Sequence, residues 1–433
     1  MRTLDLRGRT DDPSSLRALV PRASVDIGIA VERVRPLVED VRDRGEAALR
    51  EQAAAFDRAE GHDLRVPAQR IEQALADCDP TVVAALTEMI ARVRLASAAQ
   101  VPASAVTVYG DGSSITQRWQ AVDRVGLYVP GGKAVYPSSV VMNAVAAQAA
   151  GVRSIALASP AQADAGGSVH PTILAAAALL GVTEVYAIGG AGAIAAFAYG
   201  VPAIGLEPVD VVTGPGNIYV AAAKRIVNGR VGIDAEAGTT EILVIADADA
   251  NPRYVAADLI SQAEHDEAAA SVLVTTSAEL ADAVLAECRA QAERTGNAAR
   301  VAEALGGPQS AVILVDTLEQ AAALSNAYAP EHLELQVARP RELAERITSA
   351  GAIFLGAHTP VSLGDYLAGS NHVLPTGGTA RFASGLGAHT FLRPQQLIEY
   401  DRAGLDGVRE HLVTLARAEH LPAHGDAVTV RFE

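Results

Sequence analysis

Cysteine, tryptophan and aromatic residues are scarce in this chain of 433 residues. It has one tryptophan and two cysteines, and aromatic residues make up only 4% of it. Cys78 and Cys288 stand far apart and form no C-x-x-C pair, which excludes a disulfide framework or a cysteine-rich metal cluster and suits a reducing compartment. We interpret neither cysteine as a nucleophile or as a metal ligand.

Positive charge is also in short supply, because 35 Lys and Arg face 51 Asp and Glu, for a formal net charge of -16. Such a surface repels phosphate backbones and anionic lipid, so we expect no nucleic acid and no membrane as partners, and a small-molecule substrate instead. The first twenty residues lack the apolar core of a signal peptide, so a cytoplasmic protein is expected. The apolar stretch 171–206 is cut by glycine and proline, as in buried parallel strands.

Short β-rich runs alternate with alanine-rich helical stretches, which is typical of βαβ units with parallel strands. The pattern predicts an α/β fold with two incomplete Rossmann-like units, and additional small helical segments at the N- and C-terminal ends. Residues 1 to about 120 have a helical pattern and are expected to cover a sheet. The predicted strands are VGLYVP (125–130), SIALAS (154–159), EVYAIG (184–189), VDVVTG (209–214), EILVIA (241–246), SVLVTT (271–276), AVILVD (311–316) and AIFLG (352–356).

Three glycine-rich loops follow predicted strands. The loop at 190–195 imitates a dinucleotide fingerprint, but the acid expected ~20 residues on is unclear, because Glu207 comes early and Asp210 opens the next strand. This loop therefore has two possible interpretations, a tight strand-to-helix turn and a phosphate-binding loop. The loop at 131–134 departs from Walker spacing, so ATP is not expected. The loop at 214–217 precedes a helix, whose free N–H groups favour an anion.

One predicted helix carries side chains that can bind a metal. It begins at NPRY, where Asn251 can cap and Pro252 can occupy the first turn. Gln262 and His265 are three residues apart and would share a helix face, although a polar surface pair is the alternative, since glutamine is an uncommon zinc ligand. Histidines are crowded near the C-terminus, and the residues alone do not choose among His332, His358, His372, His389, His411, His420 and His424.

In NAYAPEHLEL, Glu331 and His332 stand side by side after Ala329 and Pro330, which interrupt a helix. An acid and an imidazole at an irregular turn can face one substrate. Taken alone, the pair also fits a histidine that covers the last carbonyls of the helix.

Together these motifs are specific, and the chain resembles the histidinol dehydrogenase family over nearly its whole length. The resemblance implies oxidation of L-histidinol through L-histidinal to L-histidine with two NAD, at the end of histidine biosynthesis. It also implies one zinc ion per subunit and a homodimer whose C-terminal region reaches the neighbouring site. The motifs that carry it are, in collinear order, GLYVPGGKAVYPSSVVMNA, VTGPGN, AGTTEILVIAD, LISQAEHDE, APEHLEL, GDYLAGSNHVLPT, GGTARFASGLG and AEHLPAH.

The same resemblance assigns roles to residues of this sequence. His332 would take the alcohol proton, and Glu331 would activate the water that adds to the aldehyde. The implied zinc ligands are Gln262, His265, Asp365 and His424. The implied substrate contacts are Thr240, Gln262, His265, Glu331, Asp365, His372, Glu419 and His424. NAD contacts fall on Tyr128, Gly192 and Asn217, but the family usually has glutamine where this chain has Gly192, so weak NAD affinity is expected.

The resemblance also suggests a division of the chain. We expect a helical extension at 1–24, a larger α/β domain from 25–127 plus 240–386 with the metal and catalytic residues, a Rossmann-like NAD domain at 128–239, and a helical segment at 387–433 that reaches the partner. Two other functions fit the residues less well: an NAD-dependent dehydrogenase of another polar alcohol, and a zinc hydrolase in which Glu331 activates water.

Overall fold

Apolar runs fold into the strands of two parallel sheets, in a computed structural model that describes residues 1–9, 13–23, 27–110, 112–131, 134–236 and 238–433. The strands are β1 Arg2–Asp5, β2 Ala105–Gly110, β3 Ser113–Ala121, β4 Arg124–Tyr128, β5 Ser154–Ser159, β6 Glu184–Ala187, β7 Val211–Thr213, β8 Gly232–Ile233, β9 Glu241–Ala246, β10 Ala270–Thr275, β11 Ala311–Leu314, β12 His332–Gln336, β13 Ala352–Leu355 and β14 Leu392–Tyr400.

Helices connect and cover these strands. They are α1 Pro13–Leu19, α2 Ile27–Arg44, α3 Glu46–Gln52, α4 Ala68–Ala76, α5 Pro80–Ala99, α6 Pro137–Ala150, α7 Pro171–Leu179, α8 Gly190–Tyr199, α9 Ile218–Val227, α10 Pro252–Ala263, α11 Ala278–Ala292, α12 Ala298–Gly306, α13 Leu318–Tyr328, α14 Pro340–Ala344, α15 Val361–Tyr366, α16 Arg402–Ala418 and α17 Pro422–Thr429. A π-helical turn, Ala53–Asp57, follows α3.

The first sheet has six parallel strands in the order β1-β11-β10-β9-β12-β13. Alternate residues of β9 enter two different cores, because successive side chains of a strand point to opposite faces. Ile242 and Val244 pack in the core that contains α10 and α11, whereas Leu243 and Ile245 pack in the core that contains α13. All four are fully buried, so truncating any one to alanine should cost about 2–5 kcal/mol.

The second sheet has five parallel strands in the order β6-β5-β4-β7-β8. Helices α2, α8 and α9 cover one face and α4 to α7 cover the other. The two parallel sheets confirm the predicted α/β fold with two incomplete Rossmann-like units. The packing of 27–99 on this sheet differs from the expected grouping of 25–127 with 240–386, because the apolar stripes of α2, α4 and α5 find their partners here. The division into domains stays a prediction.

A third sheet is antiparallel, in the order β14-β3-β2, and differs from the helical patterns expected before residue 120 and after residue 386. Its strands are largely exposed, and LRPQQLIEY is also mostly polar, so they lack the buried apolar run that identified the other strands. The expected helical extension at 1–24 likewise begins with β1, which pairs with β11. Helices α16 and α17 complete the C-terminal region as predicted.

The apolar stretch 171–206 contains α7, β6 and α8, which are the short pieces expected from its glycines and prolines. Within the described ranges, no helix has both the length and the apolar character that a membrane span requires.

Candidate active site

The predicted catalytic residues lie at the amino edge of the six-stranded sheet, where β9 and β12 begin. His332 is the first residue of β12 and stands in register with Ile242 of β9. Helix α13 ends at Tyr328, and Ala329 adopts a left-handed conformation with φ 53°. This residue turns the chain sharply out of the helix, so the irregular turn predicted at Ala329 and Pro330 is confirmed.

The Glu331 carboxyl group is buried and held by two donors. Thr240 Oγ1 donates to its Oε2 at 2.6 Å, and the backbone N–H of Glu241 donates to the same oxygen at 2.9 Å. Burial removes the carboxylate from water and raises the pKa of Glu331 to about 8, although both hydrogen bonds lower it. The group is therefore oriented and has a pKa close to that of a general base working near neutral pH.

The His332 ring is buried beside Glu331, and its Nδ1 lies 3.1 Å from the carbonyl oxygen of Glu241. Burial disfavours the charged ring and lowers the pKa of His332, although the nearby Asp365 carboxylate raises it. A neutral ring whose Nδ1–H donates to a carbonyl leaves Nε2 with a free lone pair. The Glu331 Oε2 atom is 3.5 Å from Nδ1, so the acid and the imidazole converge on one place.

Gln262 reaches the same place from the C-terminal end of α10. Its Nε2 donates to Thr240 Oγ1, which itself donates to Glu331. Its Oε1 is buried and has no hydrogen-bond partner among the described residues. An unpaired buried amide oxygen is costly, and it fits a position that binds a cation.

The helix start predicted for α10 is confirmed, since the Asn251 side chain accepts a hydrogen bond from the backbone N–H of Arg253. The expectation that Gln262 and His265 share a helix face is wrong in detail. Helix α10 ends at Ala263, and His265 follows in a turn whose backbone N–H donates to the Gln262 carbonyl at 3.3 Å. The charge of His265 still lowers the pKa of Glu331, so the His265 side chain lies near the Glu331 carboxyl group.

Asp365, on α15, and His372 are the remaining predicted residues that lie at this site. The His372 Nδ1 lies 3.0 Å from the Asp365 carbonyl oxygen, and its Nε2 lies 3.2 Å from Ser139 Oγ on α6. Burial lowers the pKa of His372, while the Asp365 carboxylate raises it. Both ring nitrogens have protein partners, so His372 links the two parallel sheets at the site.

The structure does not bring the remaining predicted residues to this place. Glu419 and His424 are exposed, on the part of the chain where α17 packs against α16. In the described part of the chain, no group of three or more His, Cys, Asp or Glu side chains forms a possible metal centre. Of the crowded C-terminal histidines, only His332 and His372 approach Glu331; the exposed ones are His358, His389, His411, His420 and His424.

Two helix ends make the site favourable for a cation. Helices α10 and α13 both finish at the amino edge of the sheet, at Ala263 and Tyr328. The C-terminal end of a helix carries a partial negative charge from its free carbonyl groups. This field adds to the unpaired oxygen of Gln262 and to the Asp365 carboxylate, so the donor set fits a divalent metal ion.

A buried ion pair that the sequence analysis missed supports the site from behind. Arg22 donates to both carboxylate oxygens of Glu241 at 2.9 and 3.0 Å, and its guanidinium lies 3.9 Å from the centre of the Tyr328 ring. Glu241 is the residue whose backbone groups contact Glu331 and His332. A charged residue at the head of the apolar run EILVIA was the signal that could have revealed it.

A cavity of about 550 Å³ opens at the carboxyl edge of the five-stranded sheet, and Tyr128, Gly192 and Asn217 all line it. The Tyr128 hydroxyl accepts a hydrogen bond from Gly190 N–H at 3.1 Å, at the start of α8. Asn217 caps α9 through its Oδ1, which accepts from Tyr219 N–H and Val220 N–H. The predicted strand-to-helix loops at 190–195 and 214–217 therefore meet in one cavity.

Gly192 is closely covered by α3. A Cβ atom at this position would lie 2.8 Å from Gln52 Oε1 and 3.2 Å from Leu49 Cδ2. The Gln52 side chain also lines the cavity, so glycine at 192 leaves the room that this amide occupies. In the loop at 131–134, Gly132 and Lys133 lie outside the described residues.

Comparison with known proteins gives one consistent result. The histidinol dehydrogenase family model matches residues 20–432. The chain is 64% identical to a histidinol dehydrogenase of Leifsonia xyli subsp. xyli, covering 100% of this chain and 99% of that protein. It is 55% identical to one of Mycobacterium bovis, covering 99% and 98%. A crystal structure of histidinol dehydrogenase from Elizabethkingia anophelis superposes with a TM-score of 0.92 at 34% identity, covering 100% and 98%. The chain belongs to the histidinol dehydrogenase family.

Proposed function

We propose that this protein oxidises L-histidinol through L-histidinal to L-histidine in two successive steps, the final reaction of histidine biosynthesis, in the cytoplasm. One observation carries the proposal: a buried carboxyl with a pKa of about 8 and an imidazole with a lowered pKa meet at one point, beside the unpaired oxygen of Gln262. Two oxidations at one site need two proton acceptors of different strength. NAD, when bound, supplies the hydride acceptor.

His332 is the base for the alcohol step. Its Nδ1–H is held by the Glu241 carbonyl, so the Nε2 lone pair is available for the hydroxyl proton as hydride leaves the carbon. The lowered pKa keeps the ring neutral near pH 7, and a neutral ring is required of an acceptor. The strand register fixes the position of its backbone.

Glu331 is the base for the aldehyde step. Its ionised form takes a proton from a water molecule as the water oxygen adds to the aldehyde carbon, and His332, protonated in the first step, returns its proton to the carbonyl oxygen to give the hydrate. The second hydride then departs from that carbon to NAD, and the neutral His332 takes the hydroxyl proton. Thr240 and the Glu241 N–H orient one carboxylate oxygen. The second oxygen is left to face the water.

The residues that would hold zinc are Gln262, His265 and Asp365, together with His424 of the partner subunit. When bound, the ion would fix the amino and imidazole nitrogens of the substrate and so position the reacting carbon. Removal of metal with a chelator should abolish turnover, and addition of zinc should restore it. Gln262→Ala should retain less zinc by elemental analysis than the control variant Gln320→Ala, whose amide lies on α13 away from the site.

A homodimer is part of the proposal, because Glu419 and His424 are exposed and the antiparallel sheet beside them is also exposed. Its apolar side chains Val106, Val108 and Ile398 are 62%, 70% and 65% exposed, as expected of a surface that a second subunit covers. Mixing His332→Asn and His424→Ala subunits tests the sharing of sites. Random assembly should restore about a quarter of wild-type activity if the sites are shared in this way, and none if each chain supplies its own His424.

The number of NADH formed per substrate separates this function from the two alternatives. Complete conversion of histidinol should give two NADH, measured by absorbance. A dehydrogenase of another polar alcohol gives one NADH from its own substrate, and a zinc hydrolase gives none. A yield below two NADH at complete consumption of histidinol would refute the proposed double oxidation.

A further inference from the structure

The cavity at the carboxyl edge of the five-stranded sheet has no lining residue, in the part of the chain that is described, from the predicted metal, catalytic or substrate sets. A cofactor seated there must place its reacting ring outside the cavity, nearer to Glu331 and His332. The cavity itself then receives the other half of the dinucleotide, the adenosine.

Two aromatic rings and one acid distinguish this cavity chemically. Phe56 and Tyr219 line it and remain 66% and 43% exposed, so their faces are available to a flat purine. Asp57, the last residue of the π-helical turn, lines the same cavity. Its carboxylate faces the start of α8, where a Cβ atom added at Gly189 would lie 2.7 Å from Oδ2.

Asp57 has no partner of its own. No hydrogen bond or ion pair of Asp57 is found among the described residues, and burial alone raises its pKa to about 6. At neutral pH it is mostly an ionised, partly desolvated acceptor that faces the cavity. Such a group gains most from a ligand that offers two O–H donors side by side, because an ionised carboxylate only accepts hydrogen bonds.

Neither Glu207 nor Asp210, the two acids suggested by sequence spacing, lines this cavity. The Asp210 Oδ2 accepts from the backbone N–H groups of Asp123 and Arg124 at 2.9 and 3.0 Å. Those residues precede β4 or begin it, whereas the cavity lies where β4 ends. Asp57, far earlier in the chain, therefore occupies the place that a later acid takes in an ordinary dinucleotide fold.

We infer that Asp57 binds the 2′- and 3′-hydroxyl groups of the adenosine ribose and thereby selects NAD over NADP, whose 2′-phosphate would meet a carboxylate. The inference rests on the proposed cofactor site in this cavity. Arg33 also lines the cavity, and its guanidinium would pair with the negatively charged diphosphate of the cofactor.

Steady-state kinetics with both cofactors test the inference. Asp57→Asn and Asp57→Ala should raise KM for NAD by about tenfold or more, with the change in KM and not in kcat. The ratio of kcat/KM for NAD to that for NADP should fall by a similar factor. Glu60→Gln removes an exposed carboxylate nearby and outside the cavity, so it should leave both cofactor constants unchanged.

Unmutated protein supplies a second measurement that does not depend on a variant folding. AMP should inhibit competitively against NAD more strongly than 2′-deoxy-AMP or 2′-phosphorylated AMP, and Asp57→Asn should remove most of that difference. Asn217→Ala separates the two possible failures. If it weakens NAD binding while the Asp57 variants and the AMP series show no preference, the role of Asp57 is refuted and the cavity stands. If neither substitution affects NAD binding, the cofactor site and the inference both fail.

Discussion

Glu331→Gln should separate the two oxidations. Glutamine has nearly the shape of glutamate, and its side-chain oxygen can still accept from Thr240 and from the Glu241 N–H. It cannot take a proton from water. A positioned general base contributes on the order of a hundredfold to ten-thousandfold, so NADH formation from L-histidinal should fall by that factor, whereas the first NADH from L-histidinol should form at nearly the normal rate.

The rate of L-histidinal oxidation should also depend on pH, by a factor that follows from the pKa of Glu331. Burial raises the pKa of Glu331 from its ordinary value of 4.5 to about 8. The base is therefore the form present above that pKa, about a tenth of the molecules at pH 7 and about nine tenths at pH 9. Oxidation of L-histidinal by the wild type should rise roughly tenfold between those values, and the remaining rate of Glu331→Gln should not follow that curve.

Stopped-flow absorbance of NADH in a single turnover is the decisive assay. Glu331→Gln mixed with L-histidinol should produce a first phase of about one NADH per site and a second phase that is greatly delayed. Glutamine at 331 with a normal second phase would show that another group activates the water. Loss of the first phase to the same extent as the second would show that the two steps do not use different bases.

Three further substitutions test other contacts. His332→Asn should slow the first NADH from L-histidinol by about a hundredfold or more; an unchanged first phase in stopped flow would rule out His332 as its base. Gly192→Ala should change the free energy of unfolding by less than about 1 kcal/mol, because its methyl group meets only the movable ends of Gln52 and Leu49 and alanine favours the helix over glycine; a much larger loss in denaturant titrations would show that Gln52 cannot move. Arg22→Ala should cost about 3 kcal/mol by leaving Glu241 buried without its cation, and adding Glu241→Gln should recover part of it; equal stability of all three proteins would contradict the ion pair's role.

Eight of the parallel strands were predictable because each lies in a short, largely apolar run. Strand β12 was not predicted, although all its residues are buried. Its sequence, HLELQ, alternates polar and apolar residues, yet its polar side chains are buried: Gln336 donates to Glu334, and burial, together with the nearby Asp258 carboxyl, raises the pKa of Glu334 to about 9. A local pattern cannot show that polar residues will be buried on both faces of a strand.

For the site, motif resemblance identified side chains that the fold brings together from distant segments, such as Thr240, Gln262, Glu331 and Asp365. Spacing alone did not identify them, as the crowded histidines show, since most are exposed and apart. The ion pair of Arg22 was only half visible in the sequence. The charged residue at the head of EILVIA indicates that Glu241 needs a partner, but Arg22 lies 219 positions away along the chain, so no local pattern could identify it.

The proposed catalytic residues, Glu331 and His332, lie where the strands of the six-stranded sheet begin and its helices end, and this orientation has an engineering consequence. The turns that leave the other ends of β9, β10 and β11, at 247–251, 276–277 and 315–317, are separated from the chemistry by the length of the sheet. Added residues, affinity tags or fluorophores inserted in those turns would extend the molecule without reshaping the pocket. Evolution has the same freedom there, so family members should differ in length at those turns more readily than at 237–240 or 263–269.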